Sequence, residues 1–198
     1  MELSMNKKIG IIGGSFNPPH YAHLFMGIEA LYRFNLEKVL FIPANIPPHK
    51  EENLISAYHR LKMVELAIES EKKFQVSDME IRRGSISYTI DTLRDLKREY
   101  DEGWEIYFIA GSDSALDLPN WREPEAILRL CTFTVFERPN YPFIKVKSDF
   151  RGKMLLVDSL LLDISSREIR RRIREGRPIK YLLPLSVEKY ISENSLYR

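Results

Sequence analysis

The chain of 198 residues has one cysteine, no long hydrophobic run and little excess charge. The single thiol, Cys131, excludes an internal disulfide framework and is typical of a reducing compartment, so we expect a cytoplasmic protein. It lies in the apolar stretch 128–136, which predicts a buried, unreactive thiol. No run approaches the ~20 apolar residues that a membrane-spanning helix needs, which predicts no membrane partner. A net charge of +2 argues neither for nor against a nucleic-acid partner.

Two common glycine motifs of nucleotide-binding proteins are also missing. The segment 10–14 does not match G-x-G-x-x-G, and no acidic residue ends the next strand-like run, which argues against a dinucleotide-dependent oxidoreductase. No G-x-x-x-x-G-K-[ST] segment occurs, which excludes a P-loop. No Ser/His/Asp or Cys/His arrangement for a nucleophile is visible. A site in this chain would therefore act by positioning and neutralising bound substrates, which suits phosphoryl or nucleotidyl transfer.

Strand-like and helix-like segments alternate along the chain. Helical spacing joins Leu24, Ile28 and Leu31, and similar sets recur in 61–68 and 90–100. Such alternation predicts βαβ units, and hence an α/β fold whose mostly parallel sheet has helices on both faces. The apolar or β-branched runs that predict strands are residues 9–12, 38–42, 74–79, 105–110, 132–136 and 154–157.

One domain accounts for the length of the chain. We expect it to span residues 1–198, with 1–5 as a flexible extension. Residues 165–198 predict a helical C-terminal portion, whose two helices are interrupted at Gly176-Arg177-Pro178. The Pro-rich segment 43–50 follows a strand, so it leaves the carboxyl edge of the sheet, where ligands bind in open α/β folds.

The segment 9–23 carries the strongest functional signal. Gly13-Gly14 permits a tight turn with exposed amides after a buried strand, and Pro18-Pro19 suits the first turn of a helix. His20 and His23 are three residues apart, so they share a helix face beside the positive helix end. The backbone amides can donate hydrogen bonds, and the imidazoles can carry charge near neutral pH. Together they predict an anion site, above all for a nucleotide phosphate. A zinc site and a structural histidine pair remain alternatives, although the helix offers no obvious third ligand.

Two loops after predicted strands carry polar or aromatic groups toward the same edge. Lys50, in Pro47-Pro48-His49-Lys50, is a movable charge suited to a triphosphate, with a solvated surface lysine as the alternative. Asp113, in Gly111-Ser112-Asp113, can accept hydrogen bonds from a ribose. Trp121 is either a core anchor or a platform that stacks on a flat ring.

The segment 163–170 predicts a helix start. Ser165 and Glu168 have the spacing of a capping box. The arginines that follow add positive charge to a helix end that already favours anions, which makes Ser166 and Arg170 candidate phosphate ligands. A cap followed by a solvated basic face is the alternative. An RNA-binding stripe is not supported, because no aromatic residues interleave with the arginines.

In this order the motifs resemble those of the bacterial nicotinate-mononucleotide adenylyltransferases, over nearly the whole chain. The segments that carry the resemblance are GGSFNPPHYAH (13–23), PPHK (47–50), SYTIDTL (87–93), GSD (111–113), LPNW (118–121) and ISSREIR (164–170). The resemblance implies a Rossmann-like nucleotidyltransferase fold. It also implies transfer of the adenylyl group of ATP to nicotinate mononucleotide, which gives deamido-NAD and pyrophosphate.

The same resemblance implies site residues and a cofactor. Mg²⁺ would accompany ATP, with no metal ligand from protein side chains. The implied catalytic residues, which would stabilise charge in the transition state, are His20, His23, Lys50 and Arg170. The implied ATP ligands are Gly13, Gly14, Ser15, Phe16, His20, His23, Ser165, Ser166 and Arg170. The implied ligands of nicotinate mononucleotide are Ser15, Lys50, Thr89, Gly111, Asp113, Trp121 and Arg122.

Other functions remain open beside this one. The acceptor could be the amide, nicotinamide mononucleotide, or phosphopantetheine, whose enzymes lack the SFNPPH run. A non-catalytic nucleotide-sensing module would bind ATP without releasing pyrophosphate. Arg122, where many relatives have tyrosine, and Arg167, where many have a small residue, depart from the family pattern. The sequence leaves homo-oligomerisation open, and we expect neither nucleic acid nor a membrane as a partner.

Overall fold

The computed structural model describes residues 7–48, 53–100 and 103–198, in which a six-stranded sheet forms the centre. The extension expected at residues 1–5 lies outside the described residues. The strands lie side by side in the order β3-β2-β1-β4-β5-β6, and all the described pairs are parallel. The strands are β1 (Lys7–Gly14), β2 (Lys38–Pro43), β3 (Phe74–Val76), β4 (Trp104–Gly111), β5 (Thr132–Phe136) and β6 (Met154–Val157). The predicted parallel α/β architecture is therefore confirmed.

Helices connect successive strands and cover the sheet. Leu31 is buried on the first helix, and Leu24 and Ile28 pack against the same core, as their spacing predicts. The helices are α1 (Tyr21–Arg33), α2 (Ala57–Ile68), α3 (Met79–Arg83), α4 (Thr89–Glu99), α5 (Ser112–Asp117), α6 (Pro124–Leu130), α7 (Ser148–Arg151), α8 (Ser166–Arg174) and α9 (Leu185–Glu193). Among the described residues, no helix combines the length and apolar character needed to cross a membrane.

The core has two layers, one on each face of the sheet. Along β1, Ile9 and Ile11 join the layer under α4 and α6, whereas Ile12 joins the layer under α1, α2, α8 and α9. Phe108 and Ile109 of β4 divide between the two layers in the same way. Alternate side chains of a strand point to opposite faces, so burial on both faces produces the near-continuous apolar runs of the sequence.

The chain order of the strands reverses between β1 and β4. From β1 the chain adds β2 and β3 on one side, and it then crosses to add β4, β5 and β6 on the other. The connections after β1 and β4 therefore diverge at the carboxyl edge and leave a crevice between them. Ligands of open α/β sheets bind at such a topological switch point.

Three local predictions need correction. Strand β3 ends at Val76 and not at residue 79, because Met79 already begins α3, which ends at Gly84 with a φ of +73°. Pro18-Pro19 does not form the first turn of α1, since the helix begins at Tyr21 and the residue before it, His20, is extended with a φ of −151°. Cys131 as a residue is half-buried and not fully buried. Desolvation of its sulfur nevertheless raises the pKa to about 12, so the thiol is unreactive as expected.

Candidate active site

The turn after β1 forms the centre of the candidate site. Gly13 and Gly14 are the last residues of the extended strand, and the left-handed residue is Phe16, with a φ of +49°. The tight turn expected at the glycines therefore occurs at Phe16, two residues after Gly14. The Phe16 ring is buried and contacts His23, with 5.0 Å between ring centroids. Since neither glycine carries a side chain, a ligand can approach the backbone closely here.

Two adjoining cavities open on either side of this turn. Their volumes are about 390 Å³ and 260 Å³. Both lie at the carboxyl edge of β1 and β4, the switch point of the sheet. The residues that line both cavities are Gly13, Gly14, Ser15, Phe108, Asp113, Ser114 and Trp121. A shared wall of this kind allows two ligands to meet.

The smaller cavity is lined by the two histidines at the start of α1. Their rings stack with 3.7 Å between centroids, and the His20 backbone N–H donates to Nδ1 of His23 at 3.2 Å. With Nδ1 as acceptor, the neutral His23 ring carries its proton on Nε2. Nδ1 of His20 is buried and has no hydrogen-bond partner among the described residues. An unpaired buried nitrogen beside a cavity favours an absent ligand as its partner.

Burial controls the charge of both imidazoles. Desolvation, followed by the charges of His23 and Arg138, lowers the pKa of His20 well below its ordinary value. The same desolvation, together with Arg138, lowers the pKa of His23 to about 3. Both rings are therefore neutral at neutral pH without a ligand, so the charge that imidazoles can carry there would require a bound anion. A bound phosphate would raise both pKa values, since an opposite charge favours the protonated form.

The positive charge that acts on both imidazoles is that of Arg138, which follows β5. Its backbone N–H donates to Ser112 Oγ at 2.8 Å, and its Nη1 donates to Asp113 Oδ2 at 2.6 Å. Gly111 leaves room for this pair, because a Cβ at that position would lie 2.8 Å from Cδ of Arg138 and closer still to Oδ1 of Asp113. The ion pair holds the Asp113 carboxylate at the wall shared by the two cavities.

The larger cavity is lined by the start of α4 and by Trp121 and Arg122. Trp121 donates from Nε1 to Asp117 Oδ2 at 3.0 Å, and its ring packs edge-on against Phe108. It is thus anchored in the core while it lines the cavity. The Arg122 guanidinium lies 5.0 Å from the Tyr88 ring centroid, a cation–π contact that holds the cation at the cavity wall.

The start of α8 contacts the turn from outside both cavities. Ser165 caps the helix by accepting from the Glu168 N–H at 3.2 Å, which is one half of the predicted capping box. The Glu168 carboxylate accepts from Arg171 and Arg172 instead of completing the box. Ser166 donates to the Pro18 carbonyl at 2.7 Å, and the buried Arg170 donates to the Asn17 carbonyl at 2.7 Å. These contacts hold the segment between Phe16 and α1 in place.

Known proteins resemble this chain over nearly its full length. A family model described as Cytidylyltransferase-like matches residues 11–172. A protein of Desulfitobacterium hafniense, named as a nicotinate-nucleotide adenylyltransferase, is 44% identical over 200 residues, or 97% of this chain and 96% of that protein. A Clostridium botulinum protein with the same name is 42% identical over 198 residues, or 95% of this chain and 98% of that protein. The chain belongs to the nicotinate-nucleotide adenylyltransferase family.

Solved structures agree with this family. A Plasmodium falciparum nicotinic acid mononucleotide adenylyltransferase complexed with NaAD superposes with a TM-score of 0.81 at 25% identity, covering 96% of this chain and 97% of that one. The same enzyme complexed with APC has a TM-score of 0.79 at 23% identity and shows the same fold. The Rossmann-like nucleotidyltransferase fold expected for the family is therefore confirmed.

The structure brings most of the implied family site residues to the two cavities. Thr89 and Arg122 line the larger one. Ser165, Ser166 and Arg170 line neither and contact the turn instead. Lys50 lies outside the described residues, although Pro48, two positions earlier, lines the larger cavity. The residues at the smaller cavity are Gly13, Gly14, Ser15, Phe16, His20, His23, Gly111, Asp113 and Trp121.

Arg138 belongs to none of the motifs that the sequence offers. It stands two positions after the last residue of β5, at the carboxyl edge, and that position was the available signal. A single arginine in a loop gives no pattern of its own, so only the ion pair with Asp113 identifies it. In the part of the chain that the structure describes, no group of three or more His, Cys, Asp or Glu could hold a metal ion.

Proposed function

We propose that this chain transfers the adenylyl group of ATP to nicotinate mononucleotide, giving deamido-NAD and pyrophosphate. The observation that carries the proposal is the pair of cavities that share one wall at the switch point of the sheet. The names of the relatives support it, and so does the likeness to an enzyme complexed with NaAD. One cavity per nucleotide brings the two reacting phosphates together at that wall.

ATP belongs in the smaller cavity in this proposal. The 5′-phosphate oxygen of the mononucleotide attacks the α-phosphorus of ATP, and the bond to pyrophosphate breaks. Negative charge then grows on the bridging and leaving oxygens. His23 Nε2–H and the backbone amides of 13–16 supply donors there, and Lys50 would neutralise the triphosphate. His20 adds a ring nitrogen that has no partner among the described residues.

The Asp113 carboxylate is proposed to bind ribose hydroxyls at the shared wall. A carboxylate accepts two such bonds, and Arg138 fixes its orientation at 2.6 Å. The guanidinium also places a positive charge beside the phosphates. Gly111 would contact the mononucleotide through its backbone.

The pyridine end of the acceptor belongs in the larger cavity. Trp121 would stack on the ring, and the Thr89 hydroxyl and the positive end of α4 would receive the carboxylate. Arg122 adds a cation that favours this acid over the uncharged amide. Its guanidinium also donates to Asp91 Oδ2 at 3.3 Å, so its charge is shared with a protein carboxylate.

Mg²⁺ enters this proposal as part of the MgATP substrate. The described residues offer no ligand set of their own, and Asp113 is engaged by Arg138. Phosphate oxygens would therefore hold the ion and share its charge. Direct phosphate contacts by Ser165, Ser166 and Arg170 remain part of the proposal, in addition to the contacts that hold residues 17–18.

A pyrophosphate-release assay with MgATP and a panel of acceptors tests the function. We expect release with nicotinate mononucleotide, less with nicotinamide mononucleotide and none with phosphopantetheine. A preference for the amide would refute the nicotinate assignment and leave adenylyl transfer standing. ATP binding without release for any acceptor would instead favour a nucleotide-sensing module.

A further inference from the structure

A fully buried arginine joins two loops that border the larger cavity. One loop follows β1 and contains Ser15, and the other follows β2 and contains Ala44 and Asn45. Arg60, on α2, is 1% exposed. Burying a guanidinium costs several kcal/mol unless its donors are satisfied. Arg60 satisfies them with backbone carbonyls, namely Ser15 at 2.9 Å, Ala44 at 2.6 Å, Asn45 at 2.9 Å and Ile55 at 3.1 Å.

A buried carboxylate, that of Glu80, is linked through Ser87 to the loop after β2. Glu80, on α3, is 6% exposed and accepts hydrogen bonds from the hydroxyls of Thr92 and Ser87. The Ser87 Oγ also accepts the Asn45 backbone N–H at 2.9 Å. Burial raises the pKa of Glu80, against the opposing effects of these hydrogen bonds and of the nearby arginines, including Arg60.

The two charged groups converge on one residue. Asn45 has its carbonyl bonded to Arg60 and its N–H bonded to Ser87, which Glu80 orients. The same guanidinium holds the carbonyl of Ser15, at the wall shared by the two cavities. The planar guanidinium of Arg60 therefore sets the separation of the two loops. Lysine cannot reproduce this, because its ammonium is a single point of charge.

We propose that Arg60 and Glu80 are positioning residues that hold Ser15 and Asn45 at the separation which aligns the two bound substrates. The inference rests on the function proposed above. Glu80 and Ser87 also line the larger cavity, whereas Arg60 lines neither cavity. Misplacement of a reacting group by about 1 Å can lower the rate roughly 10²-fold. Loss of Arg60 or Glu80 is therefore expected to lower kcat. Buried charges also cost more than apolar packing of the same volume would, which favours a role beyond stability.

The test compares Arg60→Lys, Glu80→Gln and Ser87→Ala with the control Lys62→Met. Lys62 is a half-exposed neighbour on α2, paired with Glu65 at 3.1 Å. We expect each of the three variants to lower kcat for pyrophosphate release about tenfold or more, because alignment is lost. The KM values, and the Kd of each nucleotide alone by calorimetry, should stay within about threefold of wild type. The control should match wild type.

Three results would overturn the inference. One is a lower Tm with unchanged kcat well below that temperature, which would make the network structural only. Another is a changed ratio of acid to amide acceptor in Glu80→Gln, which would make Glu80 a substrate contact. The third is an unchanged kcat in Ser87→Ala, the mildest variant, which decides the matter if Arg60→Lys does not fold.

A measurement that does not depend on enzyme turnover can test this inference separately from the proposed function. If wild type releases no pyrophosphate, the proposed function fails. Hydrogen exchange of the Asn45 amide still tests the positioning network. Exchange about tenfold faster in Ser87→Ala and Arg60→Lys than in Lys62→Met supports it, and equal rates refute it.

Discussion

Lowering the pH from 7 to 5 without nucleotide should destabilise this protein through His23 by about 2 kcal/mol. The pKa of this imidazole falls from 6.5 to about 3 on folding, mainly because the ring loses water. Between these values the unfolded chain binds a proton that the folded chain does not. The free energy of unfolding therefore falls as the pH drops below about 6.5, and it continues to fall toward pH 3.

Urea unfolding of wild type and His23→Asn at both pH values measures this contribution. Asparagine can still accept the His20 N–H, so the variant removes the titration and keeps an acceptor. We expect the variant to lose about 2 kcal/mol less than wild type between the two pH values. The shift of His20 has the same sign, so some pH dependence should remain in the variant.

Equal losses in both proteins would refute this reasoning. So would an NMR titration in which the His23 ring protonates near its ordinary pKa without nucleotide. ATP should raise the pKa, because phosphate favours the charged ring. Calorimetry in buffers of different ionisation enthalpy would detect the resulting proton uptake near pH 5.

Three further predictions concern the site. His20→Ala should lower kcat roughly 10²–10³-fold in the pyrophosphate assay, the scale of one lost charge stabiliser, and wild-type turnover would refute its role. Arg122→Gln should lower the ratio of kcat/KM for the acid acceptor over the amide acceptor by up to about tenfold. Trp121→Ala should raise KM for both acceptors and leave this ratio unchanged, because stacking depends on the pyridine ring that both acceptors share. In urea unfolding, Arg170→Ala should lower the free energy of unfolding by about 1–3 kcal/mol, because a hydrogen bond to a buried carbonyl is lost. Arg174→Ala, on the exposed end of α8, should change it by less than about 0.5 kcal/mol. Equal effects of the two arginines would mean that the helix acts only through its general charge.

The sheet could be predicted from the sequence because its signals are local. Runs such as 105–110 and 132–136 are β-branched and apolar, and a strand buried on both faces requires such a run. The glycines and histidines of 13–23 identified the turn for the same reason, since their spacing is set by neighbouring residues. The end of β3 was missed because the cap at Gly84 ends a helix too short to show periodicity.

The sequence by itself determined the six strands apart from their ends, the parallel class, the family and most of the segments that line the two cavities. Only the tertiary structure decided the charge of His20 and His23, because desolvation depends on what packs around a ring and not on its neighbours in the chain. The partners of Asp113 and Ser15 were decided in the same way, since Arg138 and Arg60 come from distant segments. Long-range contacts of single residues leave no periodic trace in a sequence, and the fold alone brings them together.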